Sequence, residues 1–282
     1  MGLVLSHRLC AYCKSEHLKF EARFPDSNFE IVDIYSCEKC GVFVPSYKKN
    51  AFLDEQFKLH EDLWLNICRK EWQKAKDAMK EMVQIHEKFI GPPTDTTLVV
   101  DIGSGRGNLS AALKDIGYNI LSCEPSSNLH RKAINNYNFD KTEYFNLEVE
   151  VFLDRVLKKE ISSYESVSVY LWHVLEHISF SKDVVDRIME VCEGKKINVF
   201  IQMPMLKSEY IFPEHYFLAT PDWFEFISKQ TGLKCIEYFI SNKNLYISGF
   251  YSNIESFGPV DIKRPFRSLS QFERLSSYLI NR

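Results

Sequence analysis

From about residue 97 onward the chain alternates short apolar runs with segments of helical periodicity, which leaves few folds open. Leu98-Val99-Val100-Asp101 is one such run, and Asn119-Ile120-Leu121-Ser122-Cys123-Glu124 is the next. Val167 to Trp172 and Ile197 to Ile201 are two more, with a shorter run near 143–147. Helical patterns fill about 107–117, 127–137 and 180–193 between them. Strands separated by whole helices cannot pair as tight hairpins, so they form βαβ units. The expected class is therefore α/β: a doubly wound, mostly parallel sheet with helices on both faces. Lys234 to Ile240 and Leu245 to Phe250 lie close enough in sequence to close it as an antiparallel pair.

The first of these strands runs into Asp101-Ile102-Gly103-Ser104-Gly105-Arg106-Gly107. Glycines at a strand-to-helix turn let the backbone approach a ligand closely, because no Cβ intervenes. The spacing is G-x-G-x-G with Asn at 108, so the dinucleotide fingerprint G-x-G-x-x-G is not met. Asp101 just before the loop would repel a pyrophosphate and suits a ligand carrying an amino group and a sulfonium. Glu124 ends the second strand, where a carboxylate accepts ribose hydroxyls.

With these motifs, residues from about 97 to 250 resemble a class I S-adenosylmethionine-dependent methyltransferase, a Rossmann-like fold. The resemblance rests on Val99 to Gly107, on Glu124-Pro125-Ser126 and on Leu171-Trp172-His173-Val174-Leu175-Glu176-His177. The last is similar to the fourth-strand motif of the ubiquinone-pathway O-methyltransferases. The resemblance implies that S-adenosylmethionine is held by Asp101, Gly103, Ser104, Gly105, Glu124 and Pro125, with Trp172 and His173 beside it. His173 to His177 also fits H-x-x-E-H, an inverted zinc-protease motif. That chemistry needs both histidines on one helical face, whereas here a β-branched strand runs directly into His173.

Ahead of this domain, Cys10-x2-Cys13 and Cys37-x2-Cys40 are two tight knuckles, each able to offer two thiolates to one tetrahedral zinc. Four protein ligands leave no open position, so the expected role of the ion is structural. The intervening runs Phe29 to Tyr35 and Gly41 to Val44 read as strands, with Pro45 ending the second. These features predict a small zinc-ribbon-like module over 1–50. Residues 51–92 read as a helical linker: Ala75, Met79, Met82, Val83, His86 and Ile90 fall on one face, expected to pack on the following domain, and Gly91-Pro92-Pro93 stops the helix. The methyltransferase domain is expected over 93–255 and a C-terminal extension over 256–282.

Beyond the fifth strand, Tyr210-Ile211-Phe212-Pro213-Glu214-His215 forms a long connection at the edge where open α/β sheets place substrates. The zinc module, helical linker and Glu-His loop together resemble nucleotide-sugar C-methyltransferases. There the loop has a Tyr two residues before the Glu, and the Glu-His pair assists deprotonation next to a ketone. Glu214 and His215 match; Phe212 stands at the Tyr position, with Tyr210 and Tyr216 nearby. The expected acceptor is thus a small molecule, foremost a nucleotide-linked or other sugar methylated on carbon or oxygen. An RNA methyltransferase and an inactive cofactor-binding scaffold are the alternatives. A helix starting near Pro221 leaves a plain capping role open for His215.

The formal net charge is -3, which weighs against a phosphate-tracking partner. No run approaches the roughly 20 apolar residues that a membrane helix needs, and no signal peptide is apparent. Met1-Gly2-Leu3-Val4-Leu5-Ser6 fits an N-myristoylation pattern, set against a plain first strand or an unstructured start. Cys68, Cys123, Cys192 and Cys235 are scattered and read as buried small hydrophobes in a reducing, cytoplasmic setting.

Overall fold

The computed structural model describes residues 9–26, 30–47, 69–211, 213–240 and 246–254. The myristoylation pattern, Cys68, Phe212, the first part of the expected linker and the C-terminal extension lie outside them.

Two sheets are present among the described residues. The first is antiparallel, in the order β1 (Leu18–Pro25), β2 (Ile31–Cys37), β3 (Phe43–Ser46). Strand β1 is not among the expected strands. Its alternating apolar positions are split by a register shift between Phe20 and Ala22, and Phe20 points to solvent at 51% exposure. Pro45 does not end β3 as expected but pairs with Ile34 inside it. Strand β3 is the sheet's edge, which tolerates a residue without an N–H.

The second sheet has seven strands: β4 (Thr97–Ile102), β5 (Asn119–Cys123), β6 (Tyr144–Phe145), β7 (Ser166–Trp172), β8 (Lys196–Pro204), β9 (Lys234–Ile240) and β10 (Tyr246–Ser252). Their order is β6-β5-β4-β7-β8-β10-β9. The first five pair in parallel, and β10 runs antiparallel to both β8 and β9, as the closing pair predicts. The chain leaves β4 toward β5 and β6 on one side and returns to β7 and β8 on the other. The switch point therefore lies between β4 and β7, where such sheets open a crevice at the carboxyl ends.

Helix α1 (Arg69–Ile90) lies on one face of this sheet. Val83 is fully buried, the His86 ring stacks on Phe200 with centroids 4.5 Å apart, and Phe89 stacks on Phe250 at 4.0 Å. Burial, and secondarily the charge of Lys88, pushes the His86 pKa down to about 4, so it packs there as a neutral ring. Helices α2 (Asn108–Ile116) and α3 (Ser127–Tyr137) follow β4 and β5. A segment that starts as α4 (Val149–Phe152) continues through a π turn, Leu153–Leu157, to Lys158–Glu160. Helices α5 (Lys182–Val191) and α6 (Pro221–Thr231) complete the layers.

The small sheet shares its core with the large domain. Phe43 and Leu218 exchange backbone hydrogen bonds of 3.0 and 2.8 Å, and the Thr220 hydroxyl donates to the Gly41 carbonyl at 2.7 Å. The Tyr12 ring sits 5.4 Å from Phe217 and 5.3 Å from Trp223, and its hydroxyl donates to Gln230 at 2.7 Å. Trp223 is fully buried; removing a side chain of that size from water contributes on the order of 3 kcal/mol. This packing joins the cysteine-bearing sheet to the segment 215–220, which leads from the Glu-His loop into α6.

Candidate active site

The β4–α2 turn is built by three successive glycine positions in the left-handed region, with φ of 65° at Gly103, 55° at Gly105 and 72° at Gly107. A Cβ at Gly103 would come within 2.7 Å of Val174, so the turn is pressed against the segment that follows β7. At Gly105 a Cβ would meet nothing within 4 Å. Its space is open, as a backbone cradle for a ligand requires.

Glu124 is buried and braces this turn from the end of β5. Its Oε2 accepts from the Gly105 N–H at 2.7 Å and its Oε1 from the Ser126 N–H at 2.8 Å. The Ser104 hydroxyl donates to Tyr144 Oη at 2.8 Å, and that hydroxyl in turn donates to the Gly105 carbonyl at 3.1 Å. Pro125 is exposed, its carbonyl accepting from the Asn146 amide at 2.9 Å. Sequence reasoning did not single out Tyr144 or Asn146. Strand β6 is only two residues long, so its pattern carries no periodicity to read.

Asp101 lies beneath the turn. It is 3% exposed, and its Oδ2 accepts from the Ser110 hydroxyl on α2 at 2.5 Å. Burial raises its pKa to about 7; the Ser110 bond opposes that rise and the Glu124 charge adds to it. Below the ordinary value of 3.8 the carboxyl is neutral in both folded and unfolded chains. As pH rises from there to about 7 the unfolded chain gives up the proton first, so stability falls. Asp101→Asn is therefore expected to raise the melting temperature of the ligand-free protein at pH 8 and to leave it nearly unchanged at pH 4. The scale is roughly 1.4 kcal/mol for each pKa unit. Thermal unfolding across pH checks this, and parallel wild-type and variant curves would refute it.

On the other side of the switch point, Trp172 ends β7 beside the α1 ring of His86, with centroids 6.2 Å apart. His173 follows in a left-handed conformation, φ 55°, and its N–H donates to the Gln202 carbonyl at 3.0 Å. Its ring stands edge-on to Tyr246 at 5.8 Å, and its Nδ1 lies 3.2 Å from Glu176 Oε1. His177 closes a short 3-10 turn, Leu175–His177. The two histidines of H-x-x-E-H thus do not share a helical face.

Glu214 and His215 are both buried, at 4% exposure each. His215 Nδ1 is 2.8 Å from the Tyr210 carbonyl, so that nitrogen carries the proton and Nε2 keeps its lone pair. Burial, with a further push from His177, takes the His215 pKa down to about 3. Its ring meets that of His177 at 4.7 Å. Helix α6 is capped instead by Thr220, whose hydroxyl accepts from the Trp223 N–H at 3.2 Å, so the capping alternative for His215 falls. The Tyr216 N–H donates to the Glu176 carbonyl at 2.8 Å and ties the two loops together.

Cys10, Cys13, Cys37 and Cys40 converge in the small sheet, all buried, with their sulfurs within 4.8 Å of one another. The Cys10–Cys40 and Cys13–Cys37 sulfurs are 3.6 Å apart. A disulfide needs about 2.05 Å, whereas tetrahedral Zn–S bonds of about 2.3 Å set sulfurs roughly 3.8 Å apart. The geometry fits a four-thiolate ion site.

Among the described residues no helix is long and apolar enough to cross a membrane. The chain is similar in structure to a SAM-dependent methyltransferase from Archaeoglobus fulgidus, with 15% identity and TM-score 0.47 over 63% of this chain and 94% of that one. It is likewise similar to magnesium protoporphyrin IX methyltransferase from Synechocystis PCC 6803, with 13% identity and TM-score 0.45 over 63% of this chain and 81% of that one. No curated protein matches it. A methyltransferase-domain family model matches residues 73–237, more than half of the chain, from within α1 to within β9. The chain belongs to this methyltransferase family, as an enzyme dependent on S-adenosylmethionine.

Proposed function

We propose that the enzyme transfers the methyl group of S-adenosylmethionine to a small acceptor, foremost a nucleotide-linked or other sugar. The observation that carries this reading is the buried Glu214-His215 pair, tied by main-chain hydrogen bonding to the turn after β7 at the sheet's switch point. Asp101 and the loop backbone of Gly103, Ser104 and Gly105 would hold the amino acid portion of the cofactor, which supplies the methyl group. Glu124 and Pro125 would hold its ribose, with Trp172 and His173 beside it. Methyl transfer is an in-line displacement, and holding donor and acceptor together accounts for roughly 7–11 kcal/mol of such a barrier. Where the acceptor must lose a proton, His215 Nε2, unprotonated at neutral pH, and Glu214 receive it, with Tyr210 positioning the imidazole. Zinc on the four cysteines holds the small sheet. The unbridged cysteines and the acidic balance fit a cytoplasmic enzyme without a nucleic-acid partner.

The test is release of S-adenosylhomocysteine against a panel of nucleotide-linked sugars, with a structured RNA in parallel. Turnover on a sugar is expected; turnover on RNA alone, or on nothing in a broad panel, would overturn the acceptor assignment. His215→Ala is expected to lower kcat by about 100-fold, within the range for a lost general base, with cofactor affinity unchanged by calorimetry.

A further inference from the structure

One buried group is left over by that reading. The Glu176 side chain is fully buried and only its Oε1 is engaged, by His173; Oε2 has no hydrogen-bond partner. A carboxylate oxygen kept from water without a partner is destabilising and calls for a counter-group.

We propose that Glu176, His177 and His215 bind a divalent cation of zinc's class, through Glu176 Oε2, one ring nitrogen of His177 and Nε2 of His215. One donor atom from each of the three residues lies within 4.8 Å of the others. Bonds of about 2.0–2.1 Å need donors roughly 3.3 Å apart, so closure by up to about 1.5 Å completes the set. The outer partners of a metal site are already in place. His215 presents its other nitrogen to the Tyr210 carbonyl, the arrangement that orients metal-ligating imidazoles. His173 holds the non-ligating oxygen of Glu176, and the Tyr216-to-Glu176 main-chain bond fixes the two ligand-bearing loops together. Two nitrogens and a carboxylate suit zinc or a neighbouring first-row ion over calcium or magnesium. Three protein ligands leave a fourth position for an oxygen of the acceptor. The inference rests on the proposed function in placing that oxygen, and cation binding itself is measured without any acceptor. Nε2 of His215 cannot hold a cation and take a proton at once, so with the ion bound His215 serves as a ligand and the acceptor's proton passes to Glu214.

The test uses the full chain, stripped by chelation and refilled with zinc, and in parallel with cobalt(II). Two zinc equivalents per chain are expected. His177→Ala and Glu176→Gln are each expected to bind one. In the cobalt protein, thiolate-to-metal charge transfer reports the cysteine site and serves as the folding control. Visible bands of a nitrogen–oxygen site should accompany it and vanish in both variants. A wild-type cobalt spectrum with thiolate bands alone would overturn the inference whether or not the variants fold, and would leave the methyl-transfer reading untouched. So would a second zinc that survives both substitutions. A nitrogen–oxygen spectrum without thiolate bands would support this site and sink the four-cysteine assignment instead.

Discussion

Cys40→Ser is expected to abolish turnover while leaving cofactor affinity within a few fold of wild type. Four-thiolate zinc contributes on the order of 10–16 kcal/mol to folding of small modules, far more than three short strands supply. Without the proposed zinc β1 to β3 lose their anchor, and the consequence reaches the acceptor side through named contacts. Phe43 no longer pairs with Leu218, Gly41 no longer receives the Thr220 hydroxyl, and Tyr12 leaves Phe217 and Trp223. The segment that leads from His215 into α6 then lacks one of its walls. The cofactor turn rests on Glu124, Tyr144 and α2, none of which belongs to the small sheet, so cofactor binding survives. Activity and calorimetric titration of S-adenosylhomocysteine on the same preparation check both halves. Full activity in a zinc-free variant would refute the structural role of the ion. Equal loss of binding and turnover would refute the division of labour.

Glu124→Ala is expected to weaken cofactor binding by about 100-fold or more. The carboxylate accepts from the N–H groups of Gly105 and Ser126, and hydrogen bonds to a charged group are each worth about 1.5–3 kcal/mol. Its loss leaves two main-chain donors without their acceptor, relaxes the turn at Gly105 and removes the oxygens assigned to the ribose. A loss of about 3 kcal/mol corresponds to roughly two orders of magnitude in Kd. Glu124→Gln keeps an acceptor for one of the two N–H groups, so its affinity should fall between wild type and Ala. Affinity in Glu124→Ala within threefold of wild type would remove Glu124 from the site.

The contrast between these residues shows what can be read along a chain. The strand-helix alternation, the parallel sheet and its antiparallel close, the glycine turn and the two cysteine knuckles all follow from local rules. Side-chain period separates strand from helix, glycine permits positive φ, and two thiolates within one turn reach one ion. Strand β1 escaped such a reading because its pattern is broken by a register shift and one exposed phenylalanine. Pro45 was misplaced because its tolerance depends on β3 being an edge, a property of the assembled sheet.

Partnerships across long separations belong to the folded molecule alone. Glu124 was legible as an acid after β5, but not as the brace of Gly105. Asp101 was legible as an acid before the loop, but its bond to Ser110 and the burial that lifts its pKa arise where α2 packs on β4. The H-x-x-E-H run fits a zinc-protease pattern whose helical context the strand running into His173 rules out, and it names no partner for either His173 or His177. Folding instead turned His173 back to Glu176 and set His177 against His215 from a distant loop. Local periodicity is written into each segment's covalent chemistry. Burial, and the choice of which distant polar groups must satisfy one another, exists only once the segments have excluded water together.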